Sequence, residues 1–193
     1  MVDFDNKRLE RALGALGELL EDRGEQHDLV VIGGGSLLLQ GQLSRTTEDL
    51  DVVARILDGG YLSAEPLPSS LVAAIVEVAR LFSLSEKWLN AGPADLLRLG
   101  LPTGFDERKE ERGYQTLTLH MAGRLDQIAF KLYAAVDRGP ESKHFLDLKN
   151  LQPTDDELLF GARWSITHDP SEAFRDQLSQ ALEALGVDND EFS

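Results

Sequence analysis

The chain has 193 residues, enough for one good core or for a domain with a helical extension. With 19 Lys+Arg against 34 Asp+Glu its formal net charge is 19 − 34 = −15, so its surface repels nucleic-acid backbone, and an RNA substrate would need a local basic patch or a basic partner. It has no cysteine, which excludes a disulfide framework and thiol chemistry.

The start, Met1-Val2-Asp3-Phe4-Asp5, has no basic n-region and no apolar h-region of a secretory signal. No apolar run approaches the roughly 20 residues of a membrane span. The expectation is a soluble cytoplasmic protein with no membrane partner. Asp5 to Glu21 carries one apolar stripe (Leu9, Ala12, Leu13, Leu16, Leu19, Leu20) and predicts an amphipathic helix. Asp5 or Asn6 is its cap, and Arg23-Gly24 ends it. His27 falls in the following turn as a solvated loop histidine.

Leu29 to Val53 organises the chain. Leu29-Val30-Val31-Ile32 is short, β-branched and closed by glycine, so it reads as a buried strand. Gly33, Gly34 and Gly35 predict a tight turn whose backbone lets a ligand come close. A short helix from near Ser36 adds positive dipole there, which favours phosphate. Asp49 and Asp51 flank Leu50; on a strand they share a face and repel each other unless a cation lies between them. Hard oxygen ligands suit Mg²⁺, which takes one or two carboxylates plus substrate phosphates. A phosphate cradle ahead of a carboxylate pair points to metal-assisted phosphoryl or nucleotidyl chemistry.

Asp58-Gly59-Gly60 and Pro66/Pro68 predict a loop, and Ser69-Ser70 caps a helix over Leu71 to Leu84 that is apolar almost all round and so buried on most sides. Lys87 to Asn90 and Asp95 to Arg98 read as short helical turns around Pro93. Phe105 to Gly113 is charge-dense and reads as a solvated loop or exposed helix. Tyr114 to His120 alternates as one half-buried strand, with His120 as a structural histidine at its end. Arg124 to Asp137 is a helix with Leu125, Ile128, Ala129, Leu132 and Val136 on one face. Arg124, Lys131 and Arg138, seven apart, form a basic stripe beside that face, as snorkelling side chains or as anion ligands. Glu141 to Leu151 restarts a helix on which Lys143 and Asp147 are i,i+4 neighbours, the spacing of a surface ion pair. Thr154 and Glu157 form a capping box for a helix to about Thr167. Asp169 caps a last helix, with Pro170 in its first turn, that ends at Gly186; Val187 to Ser193 is an acidic, frayed tail.

The set Gly33-Gly34, Ser36-Leu37, Gly41 and Arg45-x-Thr47-x-Asp49-Leu50-Asp51 resembles the signature of the minimal nucleotidyltransferase superfamily. It is most similar to the AbiEii-like proteins, the nucleotidyltransferase partners of abortive-infection and toxin–antitoxin systems. The resemblance implies that Gly33, Gly34 and Ser36 hold the triphosphate of an NTP and that Asp49 and Asp51 bind Mg²⁺, with Arg45 and Thr47 as further motif members. Downstream, Lys131-Leu132-x-Ala134, Arg138 and Lys143-x-x-x-Asp147-Leu148 resemble a second AbiEii-like block, with His144 where the family often has Asp. That block implies Lys131 on the triphosphate and Asp147 as a further carboxylate near the site. The implied acceptor is tRNA or protein, with a small molecule also open, and the implied partner is an antitoxin protein. The alternative is a degenerate nucleotidyltransferase fold that binds without chemistry.

The expected fold class is α/β (α+β): a small mixed β-sheet core over residues 1–123, with helices on it, and a helical C-terminal part over residues 124–193.

Overall fold

The computed structural model describes residues 4–187. The leader reading at Met1-Val2-Asp3 and the tail reading at Asp188 to Ser193 lie outside the described residues. Val187, expected in that tail, is buried. The chain divides into two compact units, one of Met1–Leu101 with Lys109–Ala122 and one of Pro102–Arg108 with Gly123–Ser193.

The first unit is a mixed α/β sheet domain. Helix α1 (Asn6–Asp22) begins where the Asp5 carboxylate accepts from the Arg8 amide, and ends at Arg23 before Gly24 at φ +67°. Strand β1 (His27–Ile32) runs directly into α2 (Gly33–Leu39). His27 is therefore the first residue of a strand rather than a loop histidine, and its ring lies 3.1 Å from Glu25. Strand β2 (Leu50–Leu57) turns at Asp58-Gly59 into β3 (Gly60–Ser63), so the expected loop at Gly60 is half a hairpin. Helix α3 (Ser69–Phe82) follows, then β4 (Leu89–Asn90) and a 3-10 helix over Ala94–Leu99. The expected helical turn at Lys87 to Asn90 is thus a short strand, because Leu50 and Asp51 of β2 offer it an edge to pair with. Strands β5 (Glu110–Tyr114) and β6 (Leu117–Met121) complete the sheet. What reads as one strand from Tyr114 to His120 is two, because Gln115 at φ +50° reverses the chain.

The sheet order is β3-β2-β1-β6-β5, with β4 also on β2. β1 is parallel to β6 and antiparallel to β2. One edge of β2 is taken by β1, so β4 and β3 share the other, β4 at Leu50–Asp51 and β3 at Ala54–Leu57. Leu9, Leu13, Leu16 and Leu20 of α1 and Leu71, Ile75 and Val78 of α3 form one core with Leu29, Val31, Leu50, Val52, Leu117 and Leu119 of the sheet. Each fully buried leucine is worth about 1.5–3 kcal/mol of transfer free energy. α3 buries that stripe with Ala74 and Ala79; Val72 and Leu81 are exposed, so its apolar circumference is not buried on most sides as expected. Arg112 and Tyr114 on the edge strand β5 both donate to Glu10 of α1, at 2.6 and 2.7 Å, which fastens that edge to the helix.

The second unit is helical among its described residues: α4 (Phe105–Arg108), α5 (Arg124–Arg138), α6 (Lys143–Leu151), α7 (Asp155–His168) and α8 (Glu172–Ala184). Both halves of the Thr154/Glu157 capping box form. α8 is capped by Ser171, which accepts from the Phe174 amide; Asp169 instead ends α7, and its carboxylate accepts from the Ser171 amide at 3.0 Å. Arg108 reaches the Asp126 carboxylate of α5 with two nitrogens and the Thr103 carbonyl with a third bond. No helix among the described residues is long and apolar enough to cross a membrane.

Candidate active site

The site is built by the crossover from β1 to β2. A bulge between Val30 and Val31 drops one residue from the β1–β2 register, so Val31 faces Val52 and Ile32 faces Asp51. Such bulges re-aim side chains at the end of a strand. Leu50 and Val52 belong to the core, so alternation turns Asp51 to the opposite face of β2.

The glycines do not form a turn ahead of a helix near Ser36; they are the first turn of α2 itself. Three glycines have the poorest intrinsic helix propensity short of proline. Their selection lies in what they touch. A Cβ on Gly33, whose φ is +76°, would stand 2.9 Å from Asp51 Oδ2. One on Gly34 would stand 3.1 Å from Thr47 Oγ1 and 3.5 Å from Arg45 Nη2. One on Gly35 would stand 2.7 Å from the Asp49 carbonyl oxygen and 2.8 Å from Leu50 Cδ1. Each glycine thus packs against part of the Arg45–Asp51 segment, and the glycine turn lies against the Asp51 carboxylate and the Asp49 backbone.

Asp49 departs from the expected arrangement. β2 starts at Leu50, so Asp51 is on the strand and Asp49 is one residue before it, in the loop. That loop is tied down: Thr47 bridges Phe4 through backbone bonds of 2.6 and 3.1 Å, and Thr47 Oγ1 donates to the Asp49 carbonyl at 3.3 Å. Ser36 has no exposed surface; Gly33 is half-buried and the most accessible of the four. Arg45 Nη1 donates to the Thr46 carbonyl at 2.9 Å.

Asn90 joins the site without having stood out in the sequence. Its Nδ2 lies 3.4 Å from Asp51 Oδ1, and its Oδ1 accepts from the Gly92 amide at 2.7 Å. It arrives there because β4 pairs with β2 in register at Leu50↔Leu89 and Asp51↔Asn90. Only the Asn-Ala-Gly-Pro turn after it hinted at a special position. Beside Asp49 and Asn90 opens a cleft of about 670 Å³ whose lining includes Leu67, Val72 and Ala91.

Lys131 and Asp147 lie in the helical unit. Lys131 Nζ is 2.6 Å from Asp147 Oδ2, with 3% and 0% of the two residues exposed. Asp147 is therefore not half of a surface pair with Lys143. Arg124 binds Glu157 at 2.8 Å and the Leu151 carbonyl, and Arg138 lies 3.0 Å from Asp137, so each cation of the expected stripe has a carboxylate beside it. Burial, with Lys131 and Lys143 close by, depresses the pKa of His144 to about 4. In the sheet unit His120 is buried between Asp28 at 3.0 Å and Glu111 at 3.3 Å, a structural placement.

Among the described residues no group of three or more His, Cys, Asp or Glu could hold a metal ion by itself. The Asp49/Asp51 donor set still fits Mg²⁺, which needs only one or two carboxylates when substrate phosphates and water supply the remaining oxygens.

A family model described as a nucleotidyltransferase of unknown function (DUF6036) matches residues 7–139. The match takes in the glycine turn, Arg45, Asp49, Asp51, Asn90 and Lys131, and stops short of Asp147. No curated protein and no solved structure matches the chain.

Proposed function

The chain belongs to that nucleotidyltransferase family, and from this premise we propose that it moves a nucleoside monophosphate from an NTP to an acceptor hydroxyl in an Mg²⁺-dependent reaction. The observation that carries the proposal is the interlock of Gly33–Gly35 with Thr47–Asp51, which sets an Asp51 carboxylate oxygen against the backbone of Gly33.

In this reading the triphosphate lies over the Gly33-Gly34 backbone, with Arg45 beside it. Asp49 and Asp51 are the carboxylates that hold Mg²⁺, which when bound neutralises charge on the triphosphate and on the departing pyrophosphate. The acceptor oxygen attacks the α-phosphorus, the bond from that phosphorus to the β-phosphate oxygen breaks, and pyrophosphate leaves with the electron pair. Asp49, on the cleft side, takes the hydroxyl proton. Asn90 keeps Asp51 in place from the neighbouring strand. A role for Lys131 on the triphosphate, or for Asp147 as a third carboxylate, requires that their buried pair open, since each is held to the other at 2.6 Å. Ser36 supports the turn from within rather than by contact with phosphate.

The resemblance to AbiEii-like proteins extends the proposal to a toxin acting in the cytoplasm and held in check by an antitoxin protein. Expression of the wild-type chain alone then slows growth, and expression of Asp51→Asn does not.

The enzymatic test is transfer of label from α-labelled NTPs. Asp49→Asn and Asp51→Asn each lower transfer at least a hundredfold while the melting temperature stays within a few degrees. Full activity in both variants would remove the metal reading. A second reading, a binder without chemistry, is favoured by the lack of any carboxylate on β6 and by the engagement of Lys131 with Asp147. It predicts no metal-dependent stabilisation by any NTP in a thermal-shift series, whereas an enzyme gains stability with NTP and Mg²⁺ together.

A further inference from the structure

The cleft beside Asp49 is a feature of the sheet unit that the phosphate-binding turn does not use. Its volume of about 670 Å³ matches pockets that take small molecules. It opens on reacting groups, because Asp49 and Asn90 form part of its wall and Asn90 touches Asp51. Its apolar lining comes mainly from Leu67 and the half-exposed Val72, since Ile75 and Leu89 are each only 2% exposed. Such a lining suits the C–H face of a ring.

Charge selects what the ring must carry. Glu48, Asp49, Glu65 and Glu86 line the cleft against the one cation Lys87, a formal balance of 1 − 4 = −3. Arg80 lies 3.7 Å from Glu86, with both side chains mostly exposed, so it screens only that corner. The whole chain carries −15 as well. An RNA acceptor would bring a phosphate next to each hydroxyl into this field, which opposes it. A small molecule that joins hydroxyls to protonated amines meets the field with the complementary sign.

We propose that this cleft is the acceptor subsite and that the acceptor is a small hydroxyl-bearing organic cation of the amino-sugar type. The proposal rests on the nucleotidyl-transfer reading for its chemistry. The acceptor amines lie toward Glu48 and Glu86, and the ring lies on Leu67 and Val72. One ring hydroxyl then points at the NTP. Its oxygen forms the new bond to the α-phosphorus as the bond to the pyrophosphate breaks, and its proton passes to Asp49.

The test uses the full chain and three probes: the disaccharide of glucosamine, the same disaccharide N-acetylated, and bulk tRNA. Calorimetry without nucleotide measures binding, and pyrophosphate release with mixed NTPs and Mg²⁺ measures transfer. The amino disaccharide binds at least tenfold more tightly than its neutral N-acetyl counterpart. The gap narrows as salt is raised, and it closes by at least threefold in Glu48→Gln/Glu86→Gln, whose exposed positions leave the fold intact. The amino disaccharide also stimulates pyrophosphate release, and the double variant raises its KM more than it lowers kcat. Equal binding of the two disaccharides, or binding of neither, overturns the cleft as a cation subsite. Release stimulated by tRNA and not by the amino disaccharide overturns the acceptor class and leaves nucleotidyl transfer standing. Release with no acceptor at all counts against nucleotidyl transfer, and the binding comparison still decides the cleft.

Discussion

Gly35→Ala probes the contact that holds the site together. The new Cβ would stand 2.7 Å from the Asp49 carbonyl oxygen, 2.8 Å from Leu50 Cδ1 and 3.1 Å from Leu50 Cα. Two of these are backbone atoms and cannot swing aside. Restoring an ordinary contact of 3.4 Å moves the Asp49–Leu50 backbone by 3.4 − 2.7 = 0.7 Å. That backbone is anchored, since the Leu50 amide donates to the Trp88 carbonyl at 2.7 Å. Overpacking of this kind costs about 1–3 kcal/mol. Alanine returns about 1 kcal/mol of helix propensity. The net loss is about 0–2 kcal/mol, a fall in melting temperature of up to about 8 °C for a chain of this size. Gly14→Ala is the matched control: it lies inside α1, its Cβ would meet nothing within 4 Å, and it gains up to about 1 kcal/mol. Denaturant melts of both variants, read alongside transfer activity, give the answer. Gly35→Ala also loses at least tenfold in transfer, because Asp49 moves with its carbonyl. A Gly35→Ala protein as stable and as active as wild type would refute the interlock.

Two further outcomes follow from the helical unit. Lys131→Met leaves the buried Asp147 carboxylate without its ammonium partner and costs about 3–5 kcal/mol, whereas Lys131→Met with Asp147→Leu costs less than the sum of the two single changes; additive losses in a denaturation cycle would contradict the pairing. His144 titrates near 4 when folded against an ordinary value of about 6.5, so the unfolded chain binds the extra proton. Stability is therefore full above about pH 6.5 and falls as pH drops toward 4, by at most about 3 kcal/mol and, with solvent screening of a partly exposed ring, by about 1–2 kcal/mol. His144→Gln flattens the stability curve between pH 7 and 5; an unchanged slope would show that the ring is not held neutral.

Long periodic elements were legible from residues alone. The leucines of α1 and the apolar face of α5 mark helices because each repeats over several turns. The strand Leu29–Ile32 was legible because glycine closes it. The short edge elements were not. β3 and β4 have four and two residues and are strands only because β2 offers them an edge. β5 carries Glu110, Glu111 and Arg112, a composition indistinguishable from a solvated loop. The alternation from Tyr114 to His120 misleads because Gln115 reverses the chain within it. The helical state of Gly33–Gly35 runs against propensity and follows from tertiary fit, which no local pattern records. For the candidate site, residue types at 33–51 single out a segment whose glycines and Asp51 the fold brings into contact. The place of Asp49 before the strand, the arrival of Asn90 and the burial of Lys131 against Asp147 all depend on pairings between distant parts of the chain.

The most direct measurement is a crystal of the full chain soaked with a non-hydrolysable NTP and Mn²⁺, in place of Mg²⁺, and read by anomalous scattering. The account predicts a metal peak bound by oxygens of Asp49 and Asp51 at about 2.0–2.3 Å, with the triphosphate over Gly33 and Gly34. Nucleotide bound elsewhere, or a metal that touches neither aspartate, would contradict it.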